Sequence, residues 1–125
     1  MQAIHIICHA EGSGHQNLWR LDDPALYRSA CWPFPNFRDL QPLIGGWIYL
    51  HELKSEPSYL GGVIQKIESC ERHEARIENG YAFIFRADDA AKNRPWRGQA
   101  HDRAWTGGLV QANFEHEKTQ HARRP

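Results

Sequence analysis

The sequence predicts a small, mainly β domain of the α+β class: a mixed, largely antiparallel β-barrel with short helices packed at its ends. Three observations predict it. Apolar residues fall in short runs bounded by glycine, proline or polar clusters. From Trp47 onward the apolar period is two. Asn79-Gly80 stands between two strand-like runs, a strong local signal for a tight hairpin turn. With 125 residues the chain is long enough to bury one core, and it reads as a single domain over residues 1–114 followed by a disordered tail over 115–125.

Taken in order, "QAIHIICHA" (2–10) reads as a buried first strand, with Ile4, Ile6 and Ile7 ahead of the Gly12 and Gly14 breakers. "DDPALYRSACW" opens with a helix-start signal, Asp23 as cap and Pro24 in the first turn, so a helix is expected there until "WPFP" ends it. "NFRDLQPLI" offers one further turn before Pro42. Trp47, Tyr49, His51 and Leu53 then share one strand face, and Ile48, Leu50 and Glu52 the other. "GGVIQKIE" continues as a strand. After Asn79-Gly80, Tyr81, Phe83 and Phe85 alternate with Ala82, Ile84 and Arg86. Residues 88–107 form a polar excursion carrying Trp96 and Trp105, and "GLVQANF" (108–114) is the last strand. "EHEKTQHARRP" has no apolar content, which is why it reads as a tail.

The charge balance excludes one broad class. Fifteen basic and fifteen acidic residues give a formal net charge of zero, so no global field draws the chain to nucleic acid or to an anionic membrane. Recognition of a polyanion would have to be local, around one pocket. Three cysteines, Cys8, Cys31 and Cys70, are an odd number spread along the chain, so a disulfide framework is not expected. No apolar run reaches bilayer length and no basic-then-apolar leader opens the chain; the reduced cytoplasm is the expected compartment.

Eight histidines invite a metal, but Cys8-His9 with His15, and Cys70 with His73, do not reproduce paired CxxC or HExxH spacing. No metal and no cofactor are expected. "EGSGH" (11–15) is a lone GxG without the lysine of a phosphate loop, and no GxSxG nucleophile elbow occurs.

The stretch "GGWIYLHELKSEPSYLGG" (45–62) is more specific. A glycine pair leads into Trp47-Ile48-Tyr49-Leu50-His51, a polar loop follows, and Leu60-Gly61-Gly62-Val63-Ile64 leaves through a second glycine pair, where backbones can approach closely. In this pattern the chain resembles the PUA-like superfamily of small barrels, which includes EVE, ASCH and YTH domains. The resemblance follows the order of elements over residues 20–114 and is concentrated at 43–68. It implies an end pocket that accepts a nucleobase, often modified, of DNA, RNA or a free nucleoside.

The residue types suit that ligand in their own right, because any base can stack on an aromatic ring and be selected by hydrogen bonds along its edge. The stacking candidates are Trp32, Tyr59, Trp96 and Trp105. The edge-reading candidates are Ser29, His51, Glu52 and Ser55. Arg28, Arg94 and Arg97 are candidates for phosphate contacts. Trp47 reads as core, and Trp96 and Trp105 suit packing as well as contact. Two other functions stay open. One is an ASCH-like amidohydrolase on an acylated nucleoside, built on Lys54, Ser55 and Glu56. The other is a protein-interaction module whose exposed aromatics form a contact patch.

Overall fold

The computed structural model describes residues 2–8, 10–11, 14–15, 18–23, 25–33, 37–53, 55–71, 79–97, 106–111 and 115–118. Among the described residues nine strands run in chain order as β1 (Gln2–Ile7), β2 (Ala10–Glu11), β3 (Gly14–His15), β4 (Leu18–Arg20), β5 (Leu26–Pro33), β6 (Trp47–His51), β7 (Leu60–Glu71), β8 (Asn79–Ala87) and β9 (Thr106–Gln111). A 3-10 helix spans Phe37–Leu43, a second turn spans Asp89–Ala91, and α1 covers Glu115–Lys118. Seven strands form one mixed sheet in the order β4-β5-β8-β7-β6-β1-β9, and β2 pairs with β3 separately. In the large sheet β1 and β6 are parallel; every other neighbouring pair is antiparallel.

The mainly β, α+β class is therefore the one the sequence predicts, but the sheet is open and not a barrel. Closure needs two edge strands that pair with each other along a consistent stagger. Here one edge is the three-residue β4 and the other is β9, whose partner is β1.

The helix expected from Asp23 is instead a strand. Asp23 does use its side chain as a cap, accepting from the Ala25 amide at 2.9 Å, but its carbonyl accepts from Leu26 and the chain turns back into β5. An aspartate that bonds two residues ahead starts a turn as readily as a helix. Tertiary packing then decides: Tyr27 stacks on Phe85 of β8, with centroids 5.7 Å apart.

Asn79-Gly80 is also corrected. These residues pair with Glu71 and Cys70 as the first rungs of the β7–β8 ladder, so the hairpin exists but its connection runs through residues 72–78, outside the described residues. The assignment of 115–125 as disordered fails over Glu115–Lys118, which is helical. An odd cysteine count does not forbid a bridge: Cys70 is disulfide-bonded, while Cys8 is buried. No helix among the described residues is long and apolar enough to cross a membrane.

One face of the sheet holds the main core. Ile4, Ile6, Ile48, Leu50, Ile64, Ile67, Tyr81, Phe83 and Phe85 meet there under Leu40 and Leu43 of the first 3-10 helix. The opposite face, at the β9 end, packs Ala3, Trp47 and Tyr49 against Ala91, with Val63 and Val110 beside them. The alternation read from the sequence is thus correct on β6 and β8. On β7 a register shift between Ile64 and Lys66 puts Ile64 and Ile67 on the same core face and Val63 on the other. The strict alternation expected of Val63, Gln65 and Ile67 fails there.

The glycine pairs perform the close approach their position suggests. Gly45 turns the chain into β6 with a φ of 85°, where an L side chain would be strained. A Cβ added to Gly62 would collide with the backbone carbonyl of Arg86 on β8, which cannot swing away as a side chain can. Gly62→Ala should therefore lower stability by roughly 3 kcal/mol, the upper end of what forcing atoms into a packed interior costs. Ile44→Ala, at an exposed site, should change it by less than about 0.5 kcal/mol. Urea unfolding of the two variants checks the contrast.

Candidate functional site

The parallel pairing of β1 with β6 builds the site. Its register sets Ala3 against Trp47, His5 against Tyr49 and Ile7 against His51. With a side-chain period of two, these six residues share one face. Trp47, Tyr49, His5 and His51 are fully or almost fully buried. Their rings run in sequence across that face. Trp47 stacks with Tyr49 (centroids 6.4 Å apart), Tyr49 with His5 (4.7 Å), and His5 sits tilted against His51 (5.0 Å).

The layer above comes from two segments. Ser58, in the loop between β6 and β7, is a buried clasp: its Oγ donates to the Ala91 carbonyl at 2.6 Å and accepts from the Arg94 amide at 2.9 Å. Backbone bonds from Ser58 N to Arg94 O and from Asn93 N to Ser58 O double the attachment. Asp88 caps the turn at Asp89–Ala91 by accepting from Ala90 N. The chain leaving this clasp places Trp96 edge-on to His51 (5.1 Å) and to His5 (5.7 Å), and puts the Arg97 guanidinium 5.8 Å from the centre of the Tyr49 ring.

The second segment is α1. Its Glu117 is wholly buried, accepts from the Tyr49 hydroxyl at 2.5 Å and forms a salt bridge with Arg97. With the Tyr49 hydroxyl proton directed at Glu117, the phenol oxygen accepts from Nε2 of His116, 2.7 Å away. Arg97 also donates from Nη1 to the Gln111 carbonyl at the end of β9. A carboxylate can be buried at this depth only with such partners.

The protons of the two histidines are fixed by geometry. His51 Nδ1 lies 2.9 Å from the Glu56 carbonyl, which can only accept, so Nδ1 carries the hydrogen and Nε2 is a lone pair. His5 Nδ1, 2.8 Å from that Nε2, must then donate to it. The remaining nitrogen, His5 Nε2, is a bare acceptor, buried and with no hydrogen-bond partner among the described residues. Burial, and then the nearby His51 and Arg97, push the His5 pKa down to about 2. Burial lowers that of His51 as well, partly opposed by its bond to Glu56. Burial and the adjacent Glu117 raise that of Tyr49, so it stays a phenol. Trp47 Nε1 is a second buried group without a partner, in this case a donor.

Of the residues singled out from sequence, His51, Trp96 and Arg97 converge on this face, with Arg94 anchoring the segment that carries the last two by donating to Ala90 O. The others lie elsewhere. Arg28, Ser29 and Trp32 are on β5, which β8 and β7 separate from β6. There Ser29 accepts from Trp32 Nε1 at 2.9 Å, and Trp32 is part of the main core. Arg28 faces Trp19 and Glu68. Tyr59 packs on the main core and donates to the Cys8 carbonyl. Glu52 is half-buried just past β6, Ser55 and Glu56 are exposed, and Trp105 and Lys54 lie outside the described residues.

Sequence reasoning missed His5, Tyr49, His116 and Glu117 as site residues. A histidine inside an isoleucine run was a signal for His5, because a buried imidazole needs partners. For Glu117 no local signal exists. Among the described residues no group of three or more His, Cys, Asp or Glu side chains is arranged to hold a metal ion. No protein-family model matches the chain, and no curated protein or solved structure is significantly similar to it.

The histidine protonation has a direct consequence for stability. His5 has its folded pKa below the ordinary 6.5, so its contribution is present above that pH and is lost as the pH falls towards 2. Between pH 6 and pH 4 it should steepen acid destabilisation by about 1.4 kcal/mol per pH unit, and His51 acts in the same direction. Urea unfolding across this range should show a slope shallower by about that amount in His5→Leu. Equal slopes would mean that His5 titrates as it does in water.

Proposed function

We propose that this protein binds a nucleobase, of a nucleic acid strand or a nucleoside, at the β1–β6 face beneath Trp96. One observation carries the reading: the half-buried Trp96 closes edge-on over two neutral histidines that continue a row of stacked rings. A flat heteroaromatic ligand exchanges ring contacts for ring contacts there, and each such stack is worth about 1–3 kcal/mol. The unpartnered acceptor on His5 and donor on Trp47 supply polar groups for its edge.

The zero net charge is compatible with recognition by rings and hydrogen bonds in place of a broad electrostatic field. The resemblance of residues 43–68 to PUA-like domains points to the same ligand class. For the alternative amidohydrolase built on Lys54, Ser55 and Glu56, the side chains of Ser55 and Glu56 are exposed and Lys54 lies outside the described residues. Trp96 forms the outer wall, on an irregular segment held through Ser58 on one side and through Arg97 to Glu117 and Gln111 on the other.

Calorimetric titration with a panel of plain and modified nucleosides and short oligonucleotides tests this. At least one member should bind, and Trp96→Ala should weaken it by about 1–3 kcal/mol. Thermal stability should drop far less than for Phe83→Ala, a buried ring whose truncation costs about 3–5 kcal/mol. A panel without binding, or equal binding by Trp96→Ala, rejects the proposal.

A further inference from the structure

We infer that the site selects its ligand by a donor edge: His5 Nε2 accepts a hydrogen bond from an N–H of the base. This rests on the base-binding reading above and specifies it. The polarity follows from one backbone carbonyl. Glu56 O is held in place by a turn in which the Glu56 amide donates to Leu53 O. That carbonyl takes the proton of His51 Nδ1, His51 Nε2 takes the proton of His5 Nδ1, and His5 is left with a lone pair at Nε2.

Reversing the chain would set the lone pair of His51 Nδ1 against those of the Glu56 carbonyl at 2.9 Å, inside the protein. No compensating bond offsets that cost, because His5 Nε2 gains no acceptor among its neighbours. The relay is therefore one-directional, and a ligand meets an acceptor at its inner end. Protonation does not invert this polarity in neutral solution, since burial disfavours the imidazolium. The same weak basicity separates recognition from catalysis: an acceptor so reluctant to take a proton can receive a hydrogen bond but is a poor general base.

The chemical class that fits carries either a ring imino N–H, as in uracil, thymine and guanine, or an exocyclic amine, as in cytosine and adenine. A base whose donor has been replaced by methyl leaves His5 Nε2 buried and unpaired. That loss corresponds to about ten- to a hundredfold in affinity.

The test compares each nucleoside that binds with its donor-blocked partner: uridine with 3-methyluridine, guanosine with N1,N2,N2-trimethylguanosine, adenosine with N6,N6-dimethyladenosine, cytidine with N4,N4-dimethylcytidine. Wild-type protein should bind the blocked member about ten- to a hundredfold more weakly. His5→Ala should lose the discrimination while tolerating the methyl. Should His5→Ala fail to fold, the nitrogen chemical shifts of the wild-type His5 ring decide. They should show a protonated Nδ1 and a bare Nε2 in the free protein at neutral pH.

Binding indifferent to methylation, discrimination that survives in His5→Ala, or a proton on His5 Nε2 overturns the donor-edge rule and leaves base binding standing. A panel in which nothing binds overturns both.

Discussion

The parallel pair β1–β6 is buried on both faces, and most of what surrounds it answers that constraint. Strands covered on both sides ordinarily read as continuous apolar runs. Here only one face does: Ile4 and Ile6 beside Ile48 and Leu50, closed by Leu40 and Leu43. The other face carries His5, Tyr49 and His51, and each polar group left there without a partner costs about 1–3 kcal/mol. The covering layer must therefore supply hydrogen bonds as well as apolar surface. Ala91, Trp96, Arg97 and α1 do both, through packing on Trp47 and Tyr49, through ring edges and through the Glu117 carboxylate.

The loop between β6 and β7 is the means by which that layer is attached. Its polar letters look from sequence like a surface offered to a ligand, and the structure gives them a different task. Ser58 ties the loop to the segment carrying Trp96, Tyr59 ties it to the end of the first strand, and the Glu56 carbonyl orients His51. The exposed side chains of Ser55 and Glu56 contribute nothing to this; a backbone atom of Glu56 contributes the polarity of the histidine pair. A loop that orients a histidine through a backbone carbonyl is invisible to side-chain motifs.

What was legible in the sequence follows the same division. Period-two alternation reports which face a residue occupies, so the faces of β6 and β8 and the core role of Trp47 were readable. Asp23 reported a local hydrogen bond truthfully, but a bond two residues ahead does not say whether a helix or a hairpin follows. Asn79-Gly80 marked a hairpin and misplaced its turn, because ladder pairing with Glu71 and Cys70 extends past the preferred turn dipeptide. Glu117 was illegible in principle. It lies among polar residues without periodicity, and its burial depends on Tyr49 and Arg97, which are distant in sequence and brought to it by the fold.

Protonation then separates what this face can do from what its residue types suggest. Two histidines, a tyrosine, a glutamate and an arginine are the usual parts of an acid–base centre, which works best when its groups titrate near the ambient pH. Burial moves three of them the other way: His5 and His51 become harder to protonate and Tyr49 harder to deprotonate. The Glu117 charge is held between Arg97 and the Tyr49 hydroxyl. Proton transfer is suppressed and directional hydrogen bonding is retained, because neutral imidazoles keep one donor and one acceptor each. A face of stacked neutral rings with fixed donor and acceptor positions matches the physical character of a nucleobase, which is also neutral, flat and edged with both. The arrangement is therefore consistent with the proposed recognition, and on that proposal the Glu56 carbonyl, by setting the direction of the histidine relay, decides which edge a ligand would meet.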